Sequence, residues 1–357
     1  MCQWHMFSTD RSRAEMREHA VRSNPVSEGS KAFDPNIIGL WEKITSPVKM
    51  GLWRIQVMRE NIPEFLWNLL TEQYGEELAE KITDGYVAER AVTLRVNRLK
   101  ATPEEIKTQL SQAGIAYEAV DWSEDALIIC GAREEAVRQI PAYEDGGIYL
   151  QSLSSMMPPL CLNPQPKECI LDMAAAPGGK TTQMAALSGN LAQITACEKN
   201  KVRSERLRYN LEKQGASCAF VMVEDARKLD DFFSFDKILL DAPCSGSGTL
   251  AVGEHGITSK FTKELITRSA KTQEELLKKA IKLLKPGHEM IYSTCSILEL
   301  ENEKSLKKVL GKQAEIVPLD QAMFPGVTYL PVKVPGTLCV CPDELYEGFF
   351  VAKIRKN

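Results

Sequence analysis

The sequence of 357 residues has no apolar run long enough to cross a lipid bilayer. Its first residues, Met1-Cys2-Gln3-Trp4-His5, also lack the basic region and the apolar stretch that open a secretion signal. These two absences predict a cytoplasmic protein without a membrane partner. The chain is long enough to bury a core in one large or two ordinary domains.

Recognisable metal-binding patterns are missing as well. The ten cysteines are irregularly spaced, which argues against a disulfide scaffold and favours reduced thiols in the cytosol. Cys339 and Cys341 form a Cys-x-Cys pair without a second pair or a histidine close by in sequence, and His255 and His288 are isolated. Structural zinc sites need four ligands, so we expect no metal.

A general excess of positive charge is absent too, because the net charge is −4. The acid is concentrated in residues 51–150, which carry 10 basic and 18 acidic side chains. Nucleic-acid binding depends on local basic patches rather than on the total. Two basic runs are candidates: Lys199, Lys201, Arg203, Arg206 and Arg208 in one, and Lys278, Lys279, Lys282 and Lys285 in the other. The alternative interpretation is that both runs are solvated helix faces.

The pattern of apolar residues divides the chain into three parts. Residues 1–57 show no sustained period and are expected to be poorly ordered or an extension, and residues 58–148 are predicted to form a small α+β subdomain. Its predicted elements are a helix over 61–83, a strand over 92–96, a helix from Thr102 that stops at Gly114, and a strand over 126–130. Residues 149–357 are predicted to form the catalytic domain.

Strand-like and helix-like segments alternate from about Glu168 onward, which is typical of an α/β fold. The predicted strands are 169–172, 192–197, 219–223, 237–240, 290–292 and 349–354, and the two predicted long helices are 200–213 and 262–284. In open α/β sheets, ligands bind beyond the carboxyl ends of the parallel strands. The residues that directly follow these strands are therefore the candidate site.

Two cysteines lie at such strand ends. Cys244 follows the fourth predicted strand in Asp241-Ala242-Pro243-Cys244-Ser245, and Cys295 follows the fifth in Ser293-Thr294-Cys295-Ser296. We expect the two thiols to meet over one pocket. One thiol suggests a covalent step, and a second suggests a group that helps to resolve the intermediate. A reactive thiol needs a positive neighbour or a helix N-terminus, and Lys180 is the best charged candidate.

A glycine-rich turn after the first predicted strand points to a cofactor. The turn, Asp172-Met173-Ala174-Ala175-Ala176-Pro177-Gly178-Gly179-Lys180, is neither a Walker A loop nor a Gly-x-Gly-x-x-Gly dinucleotide loop. Acidic residues end four strands: Asp172, Glu198, Asp225 and Asp241. These carboxylates suit a ribose, an adenine edge and a cationic head group, and S-adenosylmethionine has all three. Alternatively, they merely cap the helices that follow.

The three motifs around Lys180, Cys244 and Cys295, followed by Glu301-Asn302-Glu303, resemble the Nol/Nop/Sun family of RNA cytosine-5 methyltransferases, most closely its bacterial 16S ribosomal RNA members. The resemblance runs from about residue 60 to the C-terminus. It implies a Rossmann-like class I S-adenosylmethionine-dependent methyltransferase sheet preceded by a small α+β subdomain. It further implies methyl transfer to carbon 5 of cytosine through a covalent cysteine–base adduct.

The resemblance also implies roles for individual residues. Cys295 is implied as the nucleophile, Cys244 as the group that assists release, and Asp241 as a hydrogen-bond partner of the cytosine ring. The carbonyl of Pro243 is implied to take the exocyclic amine of the base. The implied cofactor contacts are Ala174, Ala175, Ala176, Pro177, Gly178, Gly179, Lys180, Glu198 for the ribose, Asp225 for the adenine, Asp241 for the amine, and Arg203 in support.

The target base must leave its stack to reach such a pocket, so single-stranded or loop RNA is the expected partner of a monomeric enzyme. Ribosomal RNA is favoured over transfer RNA by the resemblance. His288 replaces a glycine usual in the family, and the loop 251–256 lacks the usual basic residues. Two other hypotheses remain: DNA-type chemistry, whose nucleophile is the Pro-Cys thiol, and a non-catalytic RNA-binding assembly factor.

Overall fold

A computed structural model describes residues 61–252, 257 and 260–357, all of which fall within one compact unit, Val57–Asn357. The expectation for residues 1–57 concerns a segment that lies wholly outside the described residues. Most of the loop 251–256 lies outside them as well. Among the helices described, none combines the length and the apolar character that a membrane span requires.

Two helices, α1 (Glu64–Tyr74) and α2 (Glu76–Val87), open the described chain. The prediction of one helix over 61–83 was wrong, because Gly75 interrupts it with a φ of +82°. The second helix then continues to Val87, four residues beyond the predicted end. Leu66, Leu70 and Ile82 of this pair are fully buried in the core shared with the main sheet.

The small subdomain contains a four-stranded antiparallel sheet in the order β2-β3-β1-β4. Its elements are β1 (Val92–Val96), α3 (Pro103–Gln112), β2 (Ala116–Val120), β3 (Ser123–Cys130), the short helices α4 (Glu134–Val137) and α5 (Pro141–Glu144), and β4 (Ile148–Leu150). Helix α3 begins as predicted, with Thr102 and Glu105 forming a reciprocal capping box. The domain boundary predicted between residues 148 and 149 falls inside β4.

The main sheet follows the order β10-β12-β9-β8-β5-β6-β7, with β11 paired to β12. Its strands are β5 (Cys169–Asp172), β6 (Gln193–Cys197), β7 (Ala219–Met222), β8 (Phe235–Asp241), β9 (Leu284–Thr294), β10 (Ala314–Val317), β11 (Leu338–Val340) and β12 (Phe349–Lys356). Strands β5 to β9 are parallel, and β12 lies antiparallel between β9 and β10. The predicted α/β sheet with a small preceding α+β subdomain is confirmed.

Five helices accompany the sheet: α6 (Leu153–Leu162), α7 (Gly179–Leu187), α8 (Lys201–Lys213), α9 (Lys263–Leu283) and α10 (Glu303–Val309). Successive side chains of a strand point to opposite faces of the sheet, and both faces are buried here, as is usual for parallel strands flanked by helices. Ile170 and Leu239 pack in the core on one face, whereas Leu171, Ile238 and Leu240 pack in the core on the other. Helix α9 ends as predicted, but Lys285-Pro286-Gly287 lies within β9 rather than in a separate turn.

The small sheet is tied to the start of α7 through Arg95, a buried side chain on β1. Its guanidinium donates to Thr182 Oγ1 over 2.9 Å and to Gln151 Oε1 over 3.0 Å. Burial lowers the pKa of Arg95 to about 10. Because α7 directly follows the glycine-rich loop, this contact couples the small subdomain to the position of that loop.

Candidate active site

The two predicted cysteines meet at the carboxyl end of the main sheet. Strands β8 and β9 are neighbours and pair Asp241 with Ser293, so the two following loops emerge side by side. The Sγ atoms of Cys244 and Cys295 are 3.1 Å apart. The structure therefore brings together two thiols that are 51 residues apart in sequence. In the part of the chain that the structure describes, there is no cluster of side chains suited to a metal ion.

A lysine–carboxylate pair lies beside the thiols. Lys180 Nζ is 2.7 Å from Asp241 Oδ2, donates to Ser155 Oγ over 2.8 Å, and lies 5.4 Å from the centre of the Phe349 ring. Ser293 Oγ donates to the other oxygen of Asp241 over 2.8 Å. Burial works to lower the pKa of Lys180, but Asp241 outweighs it and raises that pKa overall. Lys180 is thus held as a cation at the site.

The two thiols have different electrostatic surroundings. The pKa of Cys244 is raised well above its usual value by the hydrogen bond to Cys295, by burial and by the charge of Glu301. Lys180, in contrast, interacts electrostatically with Cys295. Cys244 is therefore kept as a protonated thiol, while a cation lies near Cys295. This asymmetry fits a nucleophile at Cys295 and a proton-carrying neighbour at Cys244.

A cavity of about 380 Å³ opens next to Cys295. Its lining includes most of the predicted loop and several residues that sequence reasoning did not identify. The lining residues are Tyr149, Leu150, Gln151, Ser152, Ser155, Asp172, Ala174, Ala175, Ala176, Pro177, Gly179, Lys180, Asp241, Thr249, Cys295, Glu347 and Phe349. The cavity therefore brings the glycine-rich loop, the Lys180–Asp241 pair and the nucleophile candidate to one space.

A second, smaller cavity of about 40 Å³ holds the other predicted cofactor contacts. It is lined by Met173, Ala174, Glu198, Lys199, Arg203, Glu224, Asp225, Ala226, Arg227, Pro243, Thr272 and Leu276. Ala174 lines both cavities, so the two meet at the first residues of the loop. Glu198, Arg203 and Asp225 thus line the smaller cavity, whereas Asp241 and Cys295 line the larger one.

The glycine-rich loop is held by helix α8. Arg203 donates to the carbonyl of Ala176 over 2.7 Å, and Asn210 donates to the carbonyl of Pro177 over 2.7 Å. Gly178 has a φ of +110°, and a Cβ there would lie 2.9 Å from Leu207 Cδ1, so this position requires glycine. The loop therefore presents its backbone to the cavities while its outer side is fixed.

The acidic strand ends differ in their environments. Glu198 is almost fully buried and accepts a hydrogen bond from the backbone of Asn200 over 2.8 Å. Asp225 is bound by the guanidinium of Arg227, which lowers the pKa of that carboxyl to about 2, and it also accepts from the Arg227 backbone. The capping interpretation thus holds in part for Asp225. For α8, Asn200 is the cap.

Asp172 lies at the end of β5, beneath the loop. It accepts a hydrogen bond from Thr181 Oγ1 over 2.7 Å and is fully buried. Burial raises the pKa of its carboxyl to about 7, against the opposing effect of the Thr181 hydrogen bond. A nearby cationic group would favour its ionised form.

The Pro243 carbonyl, predicted to take the exocyclic amine of the base, has a partner within the protein. Its carbonyl oxygen already accepts a hydrogen bond from Gln273 Nε2 over 2.9 Å, and the residue lines the smaller cavity with Glu198 and Asp225. The physical reason is helix α9, which brings the Gln273 amide against the Pro-Cys loop. Pro243 thus lines the cavity of the predicted cofactor contacts and directly precedes Cys244, so its predicted role toward the base stays a prediction.

The residues suit S-adenosylmethionine. The smaller cavity offers carboxylate acceptors to ribose hydroxyls and an amino group, and the larger cavity offers the carboxyl groups of Asp172 and Asp241, the second of which is paired with Lys180. The loop backbone between them belongs to Ala174, Ala175 and Ala176, whose small side chains leave room for close approach. The donor set and the charge distribution fit this group.

Sequence reasoning missed Ser155, Thr249, Glu347 and Phe349 in the larger cavity. Phe349 and Glu347 reach the site because β12 inserts antiparallel beside β9, where Phe350 pairs with Thr294. The sequences of β9 and β12 do not indicate that these two strands pair. The apolar run that begins at Phe349 indicates a strand but does not say which neighbour it takes.

Two family comparisons match the chain over different segments. The sequence model described as "16S rRNA methyltransferase RsmB/F" matches residues 159–355. A second model, described as "Methyltr_RsmF/B-like, ferredoxin-like domain", matches residues 62–134. Together they match the main sheet and most of the small subdomain.

Individual relatives agree with these matches. "Ribosomal RNA small subunit methyltransferase F" from Shewanella sp. (strain ANA-3) is 36% identical over 274 residues, covering 74% of this chain and 56% of that protein. This chain thus spans about half the length of the curated relatives that it matches. The crystal structure of PH0851 has a TM-score of 0.75 and 30% identity, covering 88% of this chain and 69% of its own.

A methyltransferase homologue from Pyrococcus horikoshii has a TM-score of 0.69 and 28% identity, covering 91% of this chain and 100% of its own. Its fold thus agrees over both the small subdomain and the main sheet. The family match covers more than half of the chain and includes both cysteine motifs and the glycine-rich loop. The chain therefore belongs to the family of 16S rRNA methyltransferases RsmB/F.

Proposed function

We propose that this protein transfers a methyl group from S-adenosylmethionine to carbon 5 of a cytosine in 16S ribosomal RNA through a covalent cysteine–base adduct. The observation that carries the proposal is the 3.1 Å contact between Cys244 and Cys295 beside the Lys180–Asp241 pair. A single nucleophile beside a cofactor would not require a second thiol. The names of the relatives support ribosomal RNA as the substrate class.

The chemistry follows from the weakness of carbon 5 of cytosine as a nucleophile. The Cys295 thiolate adds to carbon 6, and a proton supplied at ring nitrogen 3 leaves an enamine whose carbon 5 is electron-rich. Carbon 5 takes up the methyl group as the bond between that group and the donor sulfur breaks, and nitrogen 3 gives back its added proton. A base then removes the proton from carbon 5. The bond between carbon 6 and sulfur breaks as the ring double bond re-forms, which regenerates the thiolate.

We propose that Asp241 hydrogen-bonds the ring, and its ion pair with Lys180 supports this role by holding the carboxylate in position. Ser293 fixes the second oxygen of that carboxylate, so one geometry is favoured. We propose that the Cys244 thiol, whose Sγ lies 3.1 Å from Cys295 Sγ, assists departure of the cysteine from the base. In this proposal Asp241 acts on the base, Cys244 acts on Cys295, and Lys180 and Ser293 hold the Asp241 carboxylate.

We propose that Glu198 and Asp225 hold the adenosine moiety and that the backbone of residues 174–180 surrounds the methionine portion. Bound there, S-adenosylmethionine supplies an electrophilic methyl group on a positively charged sulfur. Arg203 supports this arrangement by fixing the Ala176 carbonyl and by approaching Glu198 to 3.4 Å. Asp172 and Asp241 favour the positive charge electrostatically.

We also propose that the enzyme acts as a monomer in the cytoplasm, where its ribosomal RNA substrate is found. The target cytosine must leave its stack to reach the cavity beside Cys295, so a loop or single-stranded segment is the expected site. The small subdomain, residues 58–148 in the predicted division, is proposed to contact RNA near that site.

The test measures methyl transfer and covalent adducts for two variants on 16S ribosomal RNA, 30S subunits and total transfer RNA. Cys295→Ala should abolish transfer to ribosomal RNA, and Cys244→Ala should accumulate a protein–RNA adduct on a denaturing gel. The reverse assignment would support DNA-type chemistry. Methylation of transfer RNA alone would change the proposed substrate from ribosomal RNA to transfer RNA. If the protein neither binds the cofactor nor transfers a methyl group, a non-catalytic RNA-binding assembly factor becomes the favoured hypothesis.

A further inference from the structure

Glu301 is a buried carboxylate that lies between the two cysteine loops, and the proposed reaction assigns it no role. It follows β9 by seven residues and is fully buried. Its backbone carbonyl accepts a hydrogen bond from Tyr292 OH over 2.6 Å, which fixes the main chain at this point. A buried charged residue without an assigned role at an active site requires a physical explanation.

The carboxylate of Glu301 contacts both cysteine loops at once. The backbone N–H of Ser245 donates to Oε1 over 2.7 Å, and the Ser245 hydroxyl donates to Oε2. The Ser296 hydroxyl donates to Oε2 over 2.6 Å, and Gln273 Nε2 donates to Oε1 over 3.2 Å. Ser245 directly follows Cys244, and Ser296 directly follows Cys295.

These contacts suit a side chain with two acceptor oxygens. Within the described part of the chain, each oxygen of the carboxylate accepts two hydrogen bonds. The charge of Glu301 is also one of the influences that raise the pKa of Cys244. Glu301 therefore affects both the position and the protonation state of the second thiol.

The neighbouring Asn302 fixes the other loop independently. Its Oδ1 accepts from Thr294 Oγ1 over 2.6 Å, and its Nδ2 donates to the carbonyl of Ser296 over 2.8 Å. Asn302 thus holds the residues on both sides of Cys295, whereas Glu301 connects that loop to the Cys244 loop. Loss of the Glu301 carboxylate would leave the Cys295 loop formed but no longer tied to Ser245.

We propose that Glu301 is a positioning residue that holds the Cys244 thiol in place against Cys295, so that adduct release keeps pace with adduct formation. This inference rests on the proposed cytosine methylation. Without the carboxylate, Cys295 can still attack the base, but Cys244 is displaced from the position needed for release. A shift of about 1 Å at such a contact is sufficient to cost about 100-fold in rate.

The test compares Glu301→Ala and Glu301→Gln with the wild type. Product formation and the fraction of protein trapped as an RNA adduct are measured in the same reactions. Glu301→Ala should lower kcat by about 100-fold, with the KM for RNA and the cofactor Kd nearly unchanged, and should raise the ratio of adduct to product. Glu301→Gln keeps an acceptor for the Ser245 N–H and should restore much of the lost rate.

The matched control is Glu299→Gln, because the Glu299 carboxylate lies in the same segment but pairs with Lys333 over 2.9 Å and with Lys304 over 3.5 Å. This variant should behave as the wild type. If Glu301→Ala proves unstable by thermal melting, the double variant Ser245→Ala with Ser296→Ala removes the two hydroxyl donors and should shift the ratio in the same direction.

A parallel fall of product and adduct in a folded, cofactor-binding Glu301→Ala protein would overturn the proposal. Equal loss in Glu301→Ala and Glu301→Gln would overturn it too, because the amide retains the acceptor. Failure of the proposed function itself has a different signature. In that case the wild type forms no methylated cytosine and Cys244→Ala traps no adduct.

Discussion

Gly248 lies where the two cysteine loops meet the last strand, and alanine at this position should disrupt the site. Its backbone N–H donates to the carbonyl of Cys295 over 2.9 Å, and its own carbonyl accepts from the N–H of Gly348 over 2.8 Å. A Cβ on Gly248 would lie 1.9 Å from the carbonyl oxygen of Gly348 and 2.4 Å from its carbonyl carbon. These obstacles are backbone atoms, which cannot rotate away.

The size of the effect follows from this geometry. Ordinary contact with a Cβ begins near 3.4 Å, so the Gly248 and Gly348 segments must separate by about 1.5 Å. Overpacking of this kind costs about 1–3 kcal/mol in the free energy of unfolding. Because Gly248 is bonded to Cys295, the displacement reaches the nucleophile and should lower kcat by about 100-fold, or about 2.7 kcal/mol in activation free energy.

The assay measures kcat for methyl transfer and the melting temperature of Gly248→Ala. The control is Gly114→Ala, at the end of α3, where φ is +68° and a Cβ would meet nothing within 4 Å. That control should lose about 1 kcal/mol of stability from backbone strain while its kcat stays unchanged. Wild-type kcat in a folded Gly248→Ala protein would refute the reasoning, because it would show that the close contact between Gly248 and Gly348 does not set the position of Cys295.

Three further perturbations test separate parts of the site. Lys180→Met removes the cation beside Asp241 and should slow adduct formation by about 100-fold, measured on denaturing gels. An unchanged rate of adduct formation would show that the Lys180 cation does not assist the attack. Arg203→Ala should weaken cofactor binding about tenfold, measured by calorimetry, because the loop loses its contact at the Ala176 carbonyl. Asp172→Asn should flatten the pH dependence of stability between about pH 4 and 7, measured by urea unfolding. The pKa of Asp172 is about 7 in the folded protein and near 3.8 in the unfolded chain. The protonated carboxyl group therefore contributes stability at low pH, and this contribution is lost as the pH rises. An identical pH profile for the wild type and Asp172→Asn would contradict this assignment.

The parallel part of the fold was predictable because strand-like and helix-like segments alternate from about Glu168 onward, and the site was predictable because chemically distinctive residues follow several of these strands. Asp172, Asp241 and Cys295 follow short apolar runs, and parallel order places such ends at one edge of the sheet. The predictions were wrong about the division of the first helix, and they did not identify the site residues that β12 contributes. Gly75 divides a continuous apolar stripe into two helices, because one residue with positive φ outweighs the pattern around it.

The rest of the site depends on contacts that sequence patterns do not encode. The insertion of β12 between β9 and β10 is set by long-range antiparallel pairing, and it brings Phe349 to the cavity. The placement of Gln273 on α9 determines which partner the Pro243 carbonyl has. Side-chain identity could indicate that these residues are polar or apolar, but only packing of the whole chain shows what they contact.

The most direct test of the central claim identifies which sulfur atom bonds to the base. Substrate RNA containing 5-fluorocytidine should trap the adduct. Release of the cysteine requires removal of a proton from carbon 5, and fluorine replaces that proton. Cys244 and Cys295 fall in different tryptic peptides, since Lys260 and Lys282 lie between them. Mass spectrometry should find the nucleotide on the peptide containing Cys295, whereas attachment to the peptide containing Cys244 would contradict the account.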